Sequence, residues 1–159
     1  MTIAMERTCI LLKPDALQRN LLGDIIHRFE RKGFRIVALK MLQISDVLIA
    51  EHYVHHKDKP FFAGLKQFMQ SAPIVGIVLE GLDAVEAIRL VVGPTKGRTA
   101  PPGTIRGDYA MSTQANLIHA SDSAENAAQE IQRFFKPDDL FSYEKSDTCW
   151  VYAEDERKK

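Results

Sequence analysis

The stretch Asn116-Leu117-Ile118-His119-Ala120-Ser121-Asp122-Ser123 holds residue types whose spacing could do chemistry. An apolar run delivers His119 to a point where Ser and Asp begin a helix. A histidine held at a strand–helix junction can serve as a nucleophile, oriented by neighbouring hydroxyl and amide groups. Helix N-termini also favour anions, because unsatisfied N–H groups and the macrodipole converge there. The local chemistry points to a histidine that handles phosphate. By itself this is a weak signal, since a lone histidine in an apolar run is more often a structural residue.

The elements that must position His119 belong to an ordinary globular chain. It has 159 residues, 45% of them hydrophobic and 26% charged, enough for one domain with a real core. Lys plus Arg equals Asp plus Glu at 21 each, so no global field draws it to nucleic acid or membrane, and local basic clusters must do any anion binding. Cys9 and Cys149 have no metal-site or disulfide spacing, and Cys9 reads as a buried reduced thiol. The opening residues lack a signal-peptide pattern and no run approaches the roughly 18 apolar residues of a membrane span. The expected setting is reducing and cytoplasmic.

Thr8 to Lys13 reads as a short buried strand. Leu22, Ile25, Ile26 and Phe29 recur at helical spacing, with Gly33 as the stop. Phe34 to Ile44 reads as a long strand, and Ser45-Asp46 caps a helix to about Tyr53. The tract 55–60 is a loop, followed by a helix whose apolar face is Phe61, Phe62, Leu65, Phe68 and Met69. Ile74 to Leu79 is a third strand. Asp83 with Glu86, and Asp122 with Glu125, have capping-box spacing for two further helices. Between them lie the proline- and glycine-rich loop Gly93–Gly107 and a fourth strand at Leu117-Ile118. Loops of that length inside compact domains are usually functional. Ala124, Ala127, Ala128, Ile131 and Phe135 form the stripe of the last long helix. Residues 1–159 read as a single domain, with 1–5 and 155–159 frayed. The order fits an α+β ferredoxin-like sandwich, a four-stranded antiparallel sheet with helices on one face.

Four separated motifs carry a closer likeness: Glu6-Arg7-Thr8 with Lys13-Pro14-Asp15; Lys59-Pro60-Phe61-Phe62; Pro102-Gly103-Thr104-Ile105-Arg106-Gly107-Asp108; and the His119 segment. In these, and in nearly everything from Glu6 to Glu154, the chain resembles the nucleoside diphosphate kinases. The resemblance implies transfer of the γ-phosphate of a nucleoside triphosphate such as ATP to a nucleoside diphosphate, by a ping-pong cycle through a phosphohistidine. It implies Mg2+ held mainly by the nucleotide phosphates, with no metal ligands from the protein. It also implies a homo-oligomer, a hexamer in preference to a tetramer, with no obligate nucleic acid and no membrane partner.

Carried onto this sequence, the resemblance makes His119 the phosphorylated residue, Glu130 its orienting carboxylate and Ser121 a member of the same hydrogen-bond network. Lys13, Arg89 and Arg106 match phosphate-binding cations. Such cations suit a reaction governed by positioning and charge stabilisation. Tyr53 and Thr95 match a phenol and a hydroxyl near the phosphates, Asn116 a ribose contact, and Phe61 the aromatic that stacks on the base. Stacking is tolerant of base identity. The chain departs from the common pattern at Ala16, Asn20, His55, Pro94 and Thr113, none of which removes a group the reaction requires. His27, His52 and His56 have no metal-ligand spacing and read as surface residues. No Walker-type G-x-x-x-x-G-K-[ST] motif occurs. Two other readings are a regulatory nucleotide-binding module of the same fold, and an added protein-histidine phosphotransferase activity.

Overall fold

The structure, a computed structural model, describes residues 5–157. Its elements in chain order are β1 (Glu6–Leu12), α1 (Pro14–Gln18), α2 (Leu22–Lys32), β2 (Arg35–Leu42), α3 (Asp46–His52), α4 (Phe62–Gln70), β3 (Ile74–Gly81), α5 (Ala84–Val92), α6 (Ile105–Tyr109), β4 (Ile118–Ala120), α7 (Ala124–Phe134), α8 (Thr148–Val151) and α9 (Glu154–Arg157). The strands form one sheet in the order β2-β3-β1-β4, and every pair is antiparallel.

β3 is buried along its whole length, as its apolar run Ile74-Val75-Gly76-Ile77-Val78-Leu79 requires of a central strand. The two-residue period divides the core in two. Ile10, Leu12, Val75, Ile77 and Leu79 pack with Ile25 and Phe29 of α2 and Ala84, Ile88 and Val92 of α5. Cys9, Leu11, Ile74 and Val78 pack with Ile49 of α3, Leu65 and Met69 of α4 and Phe134 of α7. Helices therefore cover both faces, not one as the sequence reading had it: with both side-chain sets of β1 and β3 apolar, each face needs its own cover. A bulge between Ile36 and Ala38 turns both Val37 and Ala38 of β2 into the second layer.

Several local signals act as read. Gly33 ends α2 in the left-handed region at φ 104°, and its N–H reaches the carbonyls of Glu30 and Phe29. Ser45 caps α3, accepting from the Leu48 N–H. Two capping boxes do not form. Asp83 sits at φ 47° with no side-chain bond to α5; the Val85 N–H is taken instead by Glu6 Oε2 at 2.8 Å, from across the fold. Ser123, not Asp122, caps α7. The loop 93–107 is less irregular than expected: it holds a 3-10 turn at Gly97–Thr99 and the start of α6. Gly107 is needed there for close approach, since a Cβ would fall 1.9 Å from the Pro101 carbonyl oxygen.

The fourth strand begins one residue later than read, because Leu117 has φ 73° and cannot extend it. Residues 155–157, expected to fray, lie in α9, while 1–4 and 158–159 lie outside the described residues. Among the described residues no helix is long and apolar enough to cross a membrane.

Candidate active site

His119 is the central residue of β4, paired with Leu11. Its Nε2 lies 3.0 Å from both Glu130 oxygens. Glu130 projects from the inner stripe of α7 and is buried, alongside Ala127 and Phe134; Ala124 and Ala128, expected in that stripe, face outward. Ser121 Oγ donates to Glu130 Oε2 at 2.5 Å and accepts from the Cys9 N–H at 3.3 Å. A carboxylate can only accept, so Nε2 bears a proton, and the neutral form of the ring has its lone pair on Nδ1. No permanent cation bonds Glu130 among the described residues.

The backbone before His119 is strained into place. Leu117, buried at φ 73°, is the centre of a tight turn in which the Ile118 N–H reaches the Asn116 carbonyl at 2.9 Å. The flanking groups hold it: the Leu117 N–H donates to Asp15 Oδ2 at 3.0 Å, and its carbonyl accepts from the Lys13 N–H at 2.8 Å. Asp15 belongs to the Lys13-Pro14-Asp15 motif, which by itself assigns it no role; burial raises its pKa.

The turn points Asn116 at Lys13, whose Nζ donates to Asn116 Oδ1 at 2.7 Å. Arg106, on α6, spends its guanidinium on backbone carbonyls: Gly93 at 2.9 Å, Ile118 at 2.5 Å and Asn116 at 3.4 Å. Carbonyls and amides orient these cations without neutralising them. Burial, then Arg106, pushes the Lys13 pKa down to about 8 against a raising pull from Asp15. Burial, then Arg89, pushes Arg106 down to about 10. Arg89, on α5, forms no hydrogen bond or ion pair among the described residues. Three clustered cations, Lys13 buried, Arg106 half-buried and Arg89 exposed, leave a local field that an anion relieves.

These groups line one cavity of about 890 Å³, together with Tyr53, Phe61, Thr95, Asn116, His119 and Glu130. Of the site residues expected from sequence, Ser121 alone is not in the lining; it is buried behind Glu130. The Tyr53 hydroxyl is buried without a partner among the described residues, and burial followed by Glu130 raises its pKa. The Asn116 amide donates to the carbonyls of Thr95 and Thr113 at 2.9 and 2.8 Å. Phe61, half exposed at the start of α4, stands at the cavity mouth beside Leu65, with the His56 ring 5.3 Å away. His56 is exposed as expected but lines the cavity.

His52 is a correction. Sequence spacing makes it a surface residue, yet its ring packs on His119, Tyr53 and Phe134 and its Nε2 is buried. α3 lies against α7, so the last turn of α3 faces inward; the signal was its position three residues after buried Ile49. His52, His119 and Glu130 bring ligand-capable atoms within 4.8 Å of one another. Glu130 is already engaged by His119 and Ser121, so this set fits a proton-holding network better than a metal.

The fold and cavity define a ferredoxin-like α+β protein with an anion-seeking pocket around a carboxylate-held histidine. The sequence matches the family model described as "Nucleoside diphosphate kinase" over residues 6–140. It is 49% identical to a nucleoside diphosphate kinase of Parabacteroides distasonis, over 96% of this chain and 99% of that one. It is also 49% identical to nucleoside diphosphate kinase A of Canis lupus familiaris, over 92% of this chain and 97% of that one. Among solved structures, that of a halophilic nucleoside diphosphate kinase from Halobacterium salinarum in complex with CDP superposes with a TM-score of 0.91 at 44% identity, covering 94% of this chain and 99% of that one. The chain belongs to the nucleoside diphosphate kinase family. Its activity is phosphotransfer between nucleotides, which it binds as substrates.

Proposed function

We propose that the reaction runs as a ping-pong cycle through a phosphohistidine on His119. The observation that carries this reading is the pair of 3.0 Å contacts from Glu130 to Nε2, which leave Nδ1 as the nucleophilic nitrogen. Nδ1 attacks the γ-phosphorus in line, the bond to the bridging oxygen breaks, and the diphosphate leaves with the electron pair. The Nε2 proton stays on the ring. Glu130, with Ser121 bonded behind it, offsets the positive charge that develops on the imidazole. A second nucleoside diphosphate then takes the phosphoryl group by the reverse steps.

Lys13, Arg89 and Arg106 bind the phosphates and spread their developing charge. Tyr53 and Thr95 contact the phosphates, Asn116 the ribose, and Phe61 stacks on the base. The CDP in the halophilic relative is in keeping with nucleotide occupancy of this cavity. Mg2+ prefers hard oxygen ligands and retains water. The lining offers three cations and few carboxylates, chiefly Asp122 and the engaged Glu130, so the nucleotide phosphates hold the ion. When bound there it would supply charge neutralisation to the phosphates.

We further take residues 1–159 as one catalytic unit that assembles as a homo-oligomer, the hexamer being preferred. Half-exposed Leu39 and Met41 on the edge strand β2 support self-association. Free Cys9 and Cys149 accord with a reducing, cytoplasmic setting. The deciding experiment is intact-protein mass after mixing with ATP and Mg2+, then a chase with GDP. Gain of one phosphate, lost on the chase as GTP appears, is expected; protein that stays unmodified while binding ATP would overturn the phosphohistidine.

A further inference from the structure

Glu130 holds the His119 ring at a single atom, Nε2, which leaves the imidazole able to swing about that contact. The ring packed against it is that of His52. Its ring meets that of His119 with centroids 4.5 Å apart and planes at 86°. The His52 ring is itself wedged, 4.6 Å from Tyr53 and 5.2 Å from Phe134. Arg133 Nη1 lies 3.5 Å from His52 Nδ1, and a guanidinium can only donate, so Nδ1 accepts and the proton sits on Nε2. That Nε2 is buried with no partner among the described residues, a costly arrangement.

We propose that His52 is a positioning residue for the phosphotransfer: its neutral ring, oriented by Arg133, fixes the tilt of the His119 imidazole at the angle Nδ1 needs for in-line attack. The inference rests on the phosphohistidine reading above. The groups facing His52 are His119 from β4, Arg133 and Glu130 from α7, Lys13 from the end of β1, and Tyr53 beside it in the chain. Burial, then His119, Arg133 and Lys13, disfavours its protonated form, so it adds no like charge against a ring that becomes cationic on attack. Placement on α3 also ties the nucleophile to Tyr53, which follows that helix and lines the cavity.

A ring allowed to swing by an ångström loses a large part of its in-line population, an effect on the order of tenfold to 10²-fold in rate. The test is quench-flow measurement of phosphoenzyme formation from ATP and Mg2+ in His52→Leu and His52→Phe, with ADP affinity by calorimetry. Support requires His52→Leu to phosphorylate about tenfold or more slowly with ADP affinity within about threefold of wild type, and His52→Phe, which keeps an edge-on ring, to exceed it by about threefold or more. Any other pattern overturns the inference. Should the leucine variant fail to fold, long-range 1H–15N spectra of the unmodified protein decide. A neutral His52 with its proton on Nε2 at pH 6 supports the proposal; a proton on Nδ1, or on both nitrogens, overturns it. Wild-type protein that never acquires phosphate would instead overturn the reading of His119 itself.

Discussion

Glu80 and Glu130 are buried to nearly the same degree, 5% and 8% exposed, yet the fold treats them in opposite ways. Glu80, on β3, lies directly across from Arg7 of β1 and Arg35 of β2 in the sheet register. One guanidinium bonds each of its oxygens. Its charge is compensated on both sides, so it clamps three strands and has nothing left to offer. Glu130 meets an imidazole and a hydroxyl, so under the proposed mechanism its charge is compensated only when His119 becomes positive. Burial alone therefore does not distinguish the two carboxylates; the presence or absence of a resident cation does.

The severest way to break the contrast is to delete what Glu130 waits for. His119→Ala is expected to lower phosphoenzyme formation by at least ~10⁴-fold while the fold persists, read by intact mass and circular dichroism. Phosphorylation elsewhere at the wild-type rate would sink the mechanism. Glu130→Gln keeps the shape and removes the charge; phosphorylation should slow by about 10²-fold, near 2.7 kcal/mol, with ADP affinity little changed. Glu80→Gln should do the reverse. Turnover of the folded protein stays within about twofold in urea-free assays, while urea melts show a loss of about 2 kcal/mol, moderated because Arg7 is partly in water. If Glu80→Gln slowed turnover and Glu130→Gln only lowered stability, the two residues would have been assigned the wrong way round.

The smallest effect sharpens the cationic side of the site. Lys13 titrates near 8 in the fold, below the ordinary lysine value. Between the two values the unfolded chain binds the extra proton, so Lys13 makes stability rise with pH, by up to about 1.4 kcal/mol per unit. From about pH 9 the Cys9 thiol, held protonated by burial in the fold, ionises on unfolding and opposes that slope. The wild-type rise should therefore be clearest between about pH 8 and 9. Subtracting the Lys13→Met curve isolates the lysine up to about pH 10; identical slopes would show that Lys13 is not desolvated. Saturating ADP should flatten the rise, because phosphate restores the charged form.

Much of the fold was legible because its signals are local. Gly33 ends a helix where only a left-handed residue fits, Ser45 caps the next, and the unbroken apolar run at 74–79 announces a central strand. Legibility fails where the partner is distant. The cap on α5 comes from Glu6, so Asp83 and Glu86 mislead. Leu117 adopts a strained turn that nothing in its side chain predicts, because Asp15 and Lys13 impose it from the junction of β1 and α1. His52 reads as one more polar residue at a helix end until α7 packs over it.

The sequence by itself determined the chemistry available: a histidine after an apolar run, a carboxylate on the following helix, and cations and an aromatic in motifs that resemble one family. Those are properties of residue type and order. The tertiary structure alone decided which ring nitrogen is free, which buried carboxylate stays uncompensated and which histidine braces the other. Protonation and charge balance depend on neighbours a few ångströms away, such as Ser121 on Cys9, brought together from 112 residues apart by sheet pairing.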